Sequence, residues 1–238
     1  MIKNYLILGG TGNIGRACAI KIAKRKNNFV YCLGNNFNKS KKLPIKKNLK
    51  KIKFSQFNSE IIKKNISFDV VINCIGSVKN NLIKFHNKKI FDEMIKINLS
   101  TPVNLIGELY KSSLLNKRCK ILFINSINGV TSFRYGSMGY GASKSAINSI
   151  VKFMAKEMAT KQITVNSLCF TMIYSDMVKS AEFLSKEQLK IDEKKHLLFK
   201  RFCKITEVVK IISFFLSKSS DLINGQNIII DSGYSLNI

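Results

Sequence analysis

An alternation constrains this chain more than any other feature. Short, continuously apolar runs rich in β-branched residues recur between longer amphipathic stretches from one end to the other. Seven of these runs read as strands: Tyr5–Leu8, Phe29–Leu33, Ile52–Ser55, Val70–Asn73, Ile121–Asn125, Thr164–Leu168 and Asn227–Asp231. A run that is apolar at every position, not every second one, suits a strand covered on both faces, as parallel strands are. Helical periodicity occupies Ile14–Lys26, the region around Ile90–Leu115, Tyr140–Ala159 and Thr206–Ser217. This order predicts an α/β fold with a doubly wound, seven-stranded parallel sheet flanked by helices and joined by right-handed crossovers. Pro44 and Pro102 are the only prolines and nothing linker-like interrupts the chain, so residues 1–238 read as one domain. Two segments look less regular. Asn35–Lys51 is rich in lysine and asparagine, and the polar excursion at 178–201 reads as a helical lid over a site at the strand ends.

Composition excludes several functions. No apolar run approaches the ~18 residues of a membrane span. The chain enters its first strand directly from Met1-Ile2-Lys3-Asn4, which reads as a cytoplasmic protein without a leader. Six scattered cysteines form no C-x-x-C pair and read as reduced thiols, and His86 and His196 stand apart from any acidic or cysteine cluster, so no metal site is expected. The formal net charge is +26, yet arginine supplies only five of the 40 basic residues. Nucleic-acid readers lean on arginine for bidentate contacts, so the lysines read as a solvated surface and no nucleic-acid partner is expected. Such a surface still favours encounter with an acidic substrate or protein. A serine hydrolase is disfavoured, because Gly136-Ser137-Met138-Gly139 lacks the leading glycine of a nucleophile elbow.

Chemistry concentrates at two places. Gly9-Gly10-Thr11-Gly12-Asn13-Ile14-Gly15 joins the first strand to the first helix, where glycines permit a tight turn and close approach of a pyrophosphate to the helix N-terminus. The second strand ends at Leu33-Gly34-Asn35-Asn36 without the carboxylate that would select NAD. Asn35, Asn36 and nearby Lys39 suit a 2′-phosphate, which favours NADP(H) and leaves NAD(H) possible. Farther on, Tyr140-Gly141-Ala142-Ser143-Lys144 sets a phenol and an ammonium one helical turn apart, an arrangement that lowers a tyrosine pKa. That spacing alone arises by chance in a chain so rich in lysine. Ser126 after the fifth strand and Asn98 after a helical stretch give it a context.

With Asn98, Ser126, Tyr140 and Lys144 in this order, the chain resembles the short-chain dehydrogenase/reductase family, a Rossmann-type fold, and the resemblance runs its full length. Asn73-Cys74-Ile75-Gly76 resembles the family's N-N-A-G. Arg201-Phe202, Glu207, Gly225-Gln226 and Asp231-Ser232-Gly233 resemble its C-terminal signature. The resemblance implies that Tyr140 protonates a carbonyl oxygen during hydride transfer and that Ser126 hydrogen-bonds the same oxygen. Lys144 would hold the cofactor ribose and lower the Tyr140 pKa, and Asn98 would support a proton-relay water. Cofactor contacts carry over to Gly9, Thr11, Gly12, Asn13, Ile14, Gly15, Asn35, Asn36, Gln56, Asn73, Ile75, Gly76, Ile173 and Ser175. Phe170-Thr171 departs from the family's Pro-Gly, and the short interval from Gln56 to Val70 implies an abbreviated third crossover. Within the family the chain is most similar to 3-oxoacyl-[acyl-carrier-protein] reductases, through Lys79-Asn80-Asn81-Leu82, Ser175-Asp176-Met177 and the lid-like Leu184–Gln188. That likeness implies a 3-oxoacyl thioester substrate in fatty acid biosynthesis, carrier docking at Lys117 and Lys161, and a homodimer or homotetramer. A ketoreductase acting on a sugar, a polyol or another small carbonyl compound stays open, as does a non-catalytic NADP(H)-binding sensor or scaffold.

Overall fold

The computed structural model describes residues 2–35, 37, 43–44, 46–175, 191 and 197–236. Seven strands form one sheet: β1 Lys3–Leu8, β2 Asn28–Gly34, β3 Leu49–Lys53, β4 Phe68–Asn73, β5 Leu115–Ser126, β6 Thr164–Phe170 and β7 Asn227–Ile230. Their spatial order is β3-β2-β1-β4-β5-β6-β7, and every neighbouring pair is parallel. The order reverses beside β1, so the carboxyl ends of β1 and β4 border the crevice where such sheets bind ligands.

Alternation along each strand divides the core into two layers. Leu6 and Leu8 of β1 and Phe123 of β5 face the layer closed by α3 (Thr101–Lys111) and α4 (Met138–Glu157). Ile7, Val30 and Ile72 face the layer closed by α1 (Asn13–Ile22) and α5 (Ile205–Phe215). A short α2 (Lys88–Ile95) packs on α4. Burying both sheet faces is what the apolar runs required.

Several boundaries differ from the sequence reading. Expected at Ile52–Ser55, β3 lies at Leu49–Lys53 because it pairs with β2 from Val30↔Leu49 to Gly34↔Lys53; Phe54–Gln56 is a 3-10 turn. Helix α1 stops at Ile22, four residues early, so that the chain can turn back into β2. The region around Ile90–Leu115 holds two helices divided by a wide π-helical turn at Lys96–Ser100, and Leu115 already begins β5. The third crossover is abbreviated as expected, to a single π-helical turn at Asn58–Ile62. Asp176, Met177, Leu184–Gln188, His196 and most of the 178–201 excursion lie outside the described residues, as do Asn36 and Lys39.

Candidate active site

The parallel sheet brings the predicted tetrad to its carboxyl edge. Ser126 ends β5, Tyr140 and Lys144 lie one turn apart on α4, and Asn98 sits in the π-helical turn before α3. Lys144 is 4% exposed and Asn98 is fully buried. A Cβ built on Gly76 would stand 3.7 Å from Lys144 Nζ and 3.9 Å from Asn98 Oδ1, so both side chains reach the same point behind β4. The Ser126 hydroxyl interacts with the Tyr140 phenol, pulling its pKa down, and accepts from the Asn128 N–H at 3.1 Å.

Backbone contacts that only glycine permits set this geometry. Gly129 has φ +95°, and a Cβ there would stand 2.4 Å from the Gly141 carbonyl oxygen. The loop after β5 therefore lies directly on the first turn of α4, which carries Ser126 to Tyr140. Asn125 ties the same elements together, its Nδ2 donating to the Lys144 carbonyl at 3.1 Å and to Asn148 Oδ1 at 2.8 Å. Asn98 clasps the next loop: its Oδ1 accepts from the Ser77 N–H at 2.8 Å and its Nδ2 donates to the Ser77 carbonyl at 2.9 Å. Nδ2 also donates to Ser143 Oγ at 3.2 Å, and Ser143 Oγ donates to the Tyr140 carbonyl at 2.6 Å. Sequence reasoning missed Ser77, Asn125, Gly129 and Ser143. A signal existed in the small residues Gly141 and Ser143 inside the Tyr140-to-Lys144 spacing.

Electrostatics departs from one expectation. Burial pulls the Lys144 ammonium down to about 8, with the neighbouring Cys169 and Cys74 thiols opposing it weakly. Tyr140 is part-exposed as a side chain, yet protein crowds its hydroxyl. That desolvation pushes its pKa up, against the lowering pull of Ser126. Lys144 is not among the groups that set this shift. Lys144 Nζ donates to the Ile124 carbonyl at 3.4 Å and lies 5.8 Å from the centroid of the Tyr140 ring, addressing the ring's face and not its oxygen.

The glycine turn fits a pyrophosphate. Gly9 has φ +77°, and a Cβ there would stand 2.8 Å from the Cys74 carbonyl group; at Gly15 it would stand 2.4 Å from the Gly9 oxygen. These two glycines are required by packing alone. Gly12 differs, since a Cβ there would meet only the Gly9 oxygen at 3.5 Å. Gly12 caps α1 with no side-chain hydrogen bond and no acid in the first turn, which leaves the N–H groups near Asn13 and Ile14 to an anion. Thr11 packs under Gly34 at the end of β2, and exposed Asn35 follows. Lys53, a basic residue the sequence reading did not single out, is the register partner of Gly34.

The remaining predicted contacts scatter more widely. Asn73 accepts from the Ile75 N–H at 3.1 Å, holding buried Ile75 and Gly76 against the crevice. Gln56 is exposed, with Oε1 accepting from the Lys53 N–H at 3.1 Å as a local turn cap. Ile173 bridges to Cys203, and Ser175 is half-buried beyond β6. Phe170, where the family has proline, lets β6 run one residue farther, paired with Ser126 on one side and Ile230 on the other. Beside the tetrad, a cavity of about 520 Å³ opens between the loop after β4 and the loop after β5.

Comparison with known proteins places the chain in a family. A family model described as enoyl-(acyl carrier protein) reductase matches residues 11–235. The 3-oxoacyl-[acyl-carrier-protein] reductase FabG of Staphylococcus epidermidis is 26% identical, the alignment covering 98% of this chain and 99% of that protein. The FabG of Buchnera aphidicola is 27% identical, with 97% and 96% covered. Among solved structures, 4-hydroxyisoleucine dehydrogenase complexed with NADH superposes with a TM-score of 0.83 at 25% identity, covering 98% of this chain and 99% of that one. A short-chain dehydrogenase family protein of Francisella tularensis reaches a TM-score of 0.87 at 24% identity, covering 99% and 100%. The chain belongs to the short-chain dehydrogenase/reductase family and is an NAD(P)-dependent oxidoreductase.

Proposed function

We propose that residues 1–238 act as one catalytic unit, an NADP(H)-dependent ketoreductase that reduces a 3-oxoacyl thioester on acyl carrier protein to the secondary alcohol. The observation that carries this reading is the convergence of Ser126 and Tyr140 beside a buried Lys144 and the Asn98 clasp. The nicotinamide, when bound, supplies the hydride. Gly12, Asn13 and Ile14 would hold its phosphates on the α1 N-terminus, with Gly9 and Gly15 shaping the turn. Tyr140, whose pKa burial pushes up, keeps a proton to hand to the carbonyl oxygen at neutral pH. Ser126 would donate a hydrogen bond to that oxygen as its charge grows. Lys144, cationic below about 8, would stabilise the phenolate left behind and hold the ribose hydroxyls. Asn98 acts as a positioning residue, its amide engaged with Ser77 and Ser143.

The absence of a carboxylate after β2, together with Lys53 beside Gly34, favours a 2′-phosphate. The FabG relatives and the +26 charge favour an acidic carrier. Lys117 and Lys161 flank the Arg118–Gln162 hydrogen bond, forming one basic patch. That patch lies before or at the amino ends of β5 and β6, at the far edge of the sheet from Ser126 and beyond Lys120, itself about 20 Å away at ~3.3 Å per strand residue. A carrier docked there would serve the tetrad of a second copy, which fits a homodimer or homotetramer. One observation favours a second reading, an NADH-linked dehydrogenase of a small hydroxy compound: the likeness to 4-hydroxyisoleucine dehydrogenase.

Titration with NADPH and NADH, followed by loss of reduced-nicotinamide absorbance with an acetoacetyl thioester, separates the readings. Turnover with NADPH that disappears in Tyr140→Phe supports the reductase. Tighter binding of NADH than NADPH, with reduction of NAD+ by a small hydroxy acid and no thioester turnover, supports the second reading. Absence of binding by either nucleotide overturns both.

A further inference from the structure

The loop between Ser126 and Tyr140 also walls the cavity of about 520 Å³, a size within the range of small-molecule sites. Leu82 and Ile83 after β4, and Phe133 and Met138 of the loop, are exposed apolar side chains on its walls; Asn128 and Arg134 supply polar groups. Hydrogen bonds brace the wall. Ser137 Oγ donates to the Arg134 carbonyl at 2.7 Å, Asn128 Nδ2 donates to Ser137 Oγ at 3.1 Å, and the Asn81 N–H donates to the Gly136 carbonyl at 2.7 Å. The cavity adjoins the reaction centre through residues next to Ser126 and Tyr140. Asn128 donates its N–H to Ser126 Oγ, and Gly141, next to Tyr140, packs against Asn128 on the same wall.

Arg134 gives the cavity its charge. Its Nη1 lies 3.6 Å from Met172 Sδ, two residues beyond Phe170, the register partner of Ser126. The guanidinium thus lines the cavity and touches the segment that follows β6. A chain that draws only five of its 40 basic residues from arginine has one here, where a planar fork suits a carboxylate or a phosphate better than an ammonium does.

We infer that the cavity receives the far end of the ketone substrate and that Arg134 grips a carboxylate or phosphate carried on that end. The inference rests on the reductase reading and narrows it to ketones whose anionic group is separated from the reacting carbonyl by an apolar or pantetheine-like stretch. Two pairs of probes test it and distinguish the sources of the anion. Acetoacetyl-coenzyme A against its truncated neutral thioester, acetoacetyl-N-acetylcysteamine, reads phosphate; levulinate against ethyl levulinate reads carboxylate.

In Arg134→Gln the ratio of kcat/KM for the acidic over the neutral member of at least one pair falls about ten-fold or more, as loss of a charge-assisted bond requires, and Arg134→Lys restores part of it. Ratios unchanged in both pairs overturn the inference. So does an equal fall for both members of each pair, which marks Arg134 as a brace of the loop. Calorimetric binding of the same probes to the NADPH-loaded protein gives the ratios without turnover. Lack of hydride transfer to every ketone fails the reductase reading, and the role of Arg134 is then decided by binding alone.

Discussion

Both donors of the Asn98 amide are committed to Ser77 and Ser143, so its side chain holds the Ser77 loop and α4 together and does not itself carry a proton. Ser143→Ala should cost about 1 kcal/mol for a lost buried hydrogen bond. It should also lower kcat by loosening Asn98 against Tyr140, which denaturant melts and steady-state kinetics would record together. Lys144 carries a sharper consequence. Its folded value of about 8 lies below its ordinary 10.5, so between these values the unfolded chain binds more protons and stability rises with pH. The burial cost is fully present below about 8. Lys144→Met should therefore melt higher than the natural chain at pH 7, by up to ~3 kcal/mol, with the gap closing toward pH 10.5 and with turnover abolished. For the natural chain, kcat for reduction should fall as pH rises through about 8, while Tyr140, pushed upward, still holds its proton. A profile flat through pH 9 would remove Lys144 from that role.

The glycine turn separates packing from binding at the scale of an element. Gly15→Ala drives a Cβ to within 2.4 Å of the Gly9 carbonyl oxygen, so α1 must lift off the turn. A loss of ~2 kcal/mol or more is expected, with nucleotide binding lost as well. Gly12→Ala meets only an ordinary contact at 3.5 Å, so the melt should hardly move while NADPH affinity falls. Equal melts for the two variants would contradict this division. The central strands were legible in the sequence because strands buried on both faces must be apolar throughout, and the Tyr140–Lys144 pair was legible because its spacing is local in the chain. The start of β3 was not legible. Its Leu49-Lys50-Lys51-Ile52-Lys53, with only Leu49 and Ile52 buried, belongs to an edge strand, and pairing with β2 fixes its register. The π-helical turn at Asn98 was hidden for the same reason, since Met94, Asn98 and Ile106 continue an ordinary amphipathic pattern through it. Nor did the sequence show the direction of the Tyr140 shift, which depends on crowding by residues distant in the chain.

Across the whole molecule the dominant quantity is charge, with 40 basic against 14 acidic residues. If the substrate arrives on an acidic carrier, kcat/KM for carrier-bound substrate should fall ~10-fold or more as salt rises from about 0.02 to 0.5 M, because steering between exposed charges is screened over such lengths. The small neutral thioester should show little of this dependence, and parallel salt titrations would expose the difference. Long-range connectivity has its own outcome. Gly9 is set against Cys74 and Ile75, Gly10 against Cys32, and Thr11 beneath Gly34. The nucleotide turn is thus spelled in the first fifteen residues but acquires its shape only when β2 and β4 arrive on either side of β1. On a ribosome the first strand must wait, half-covered, until more than seventy residues have emerged. A nascent chain shorter than that has the letters of a cofactor site and no grip on a cofactor.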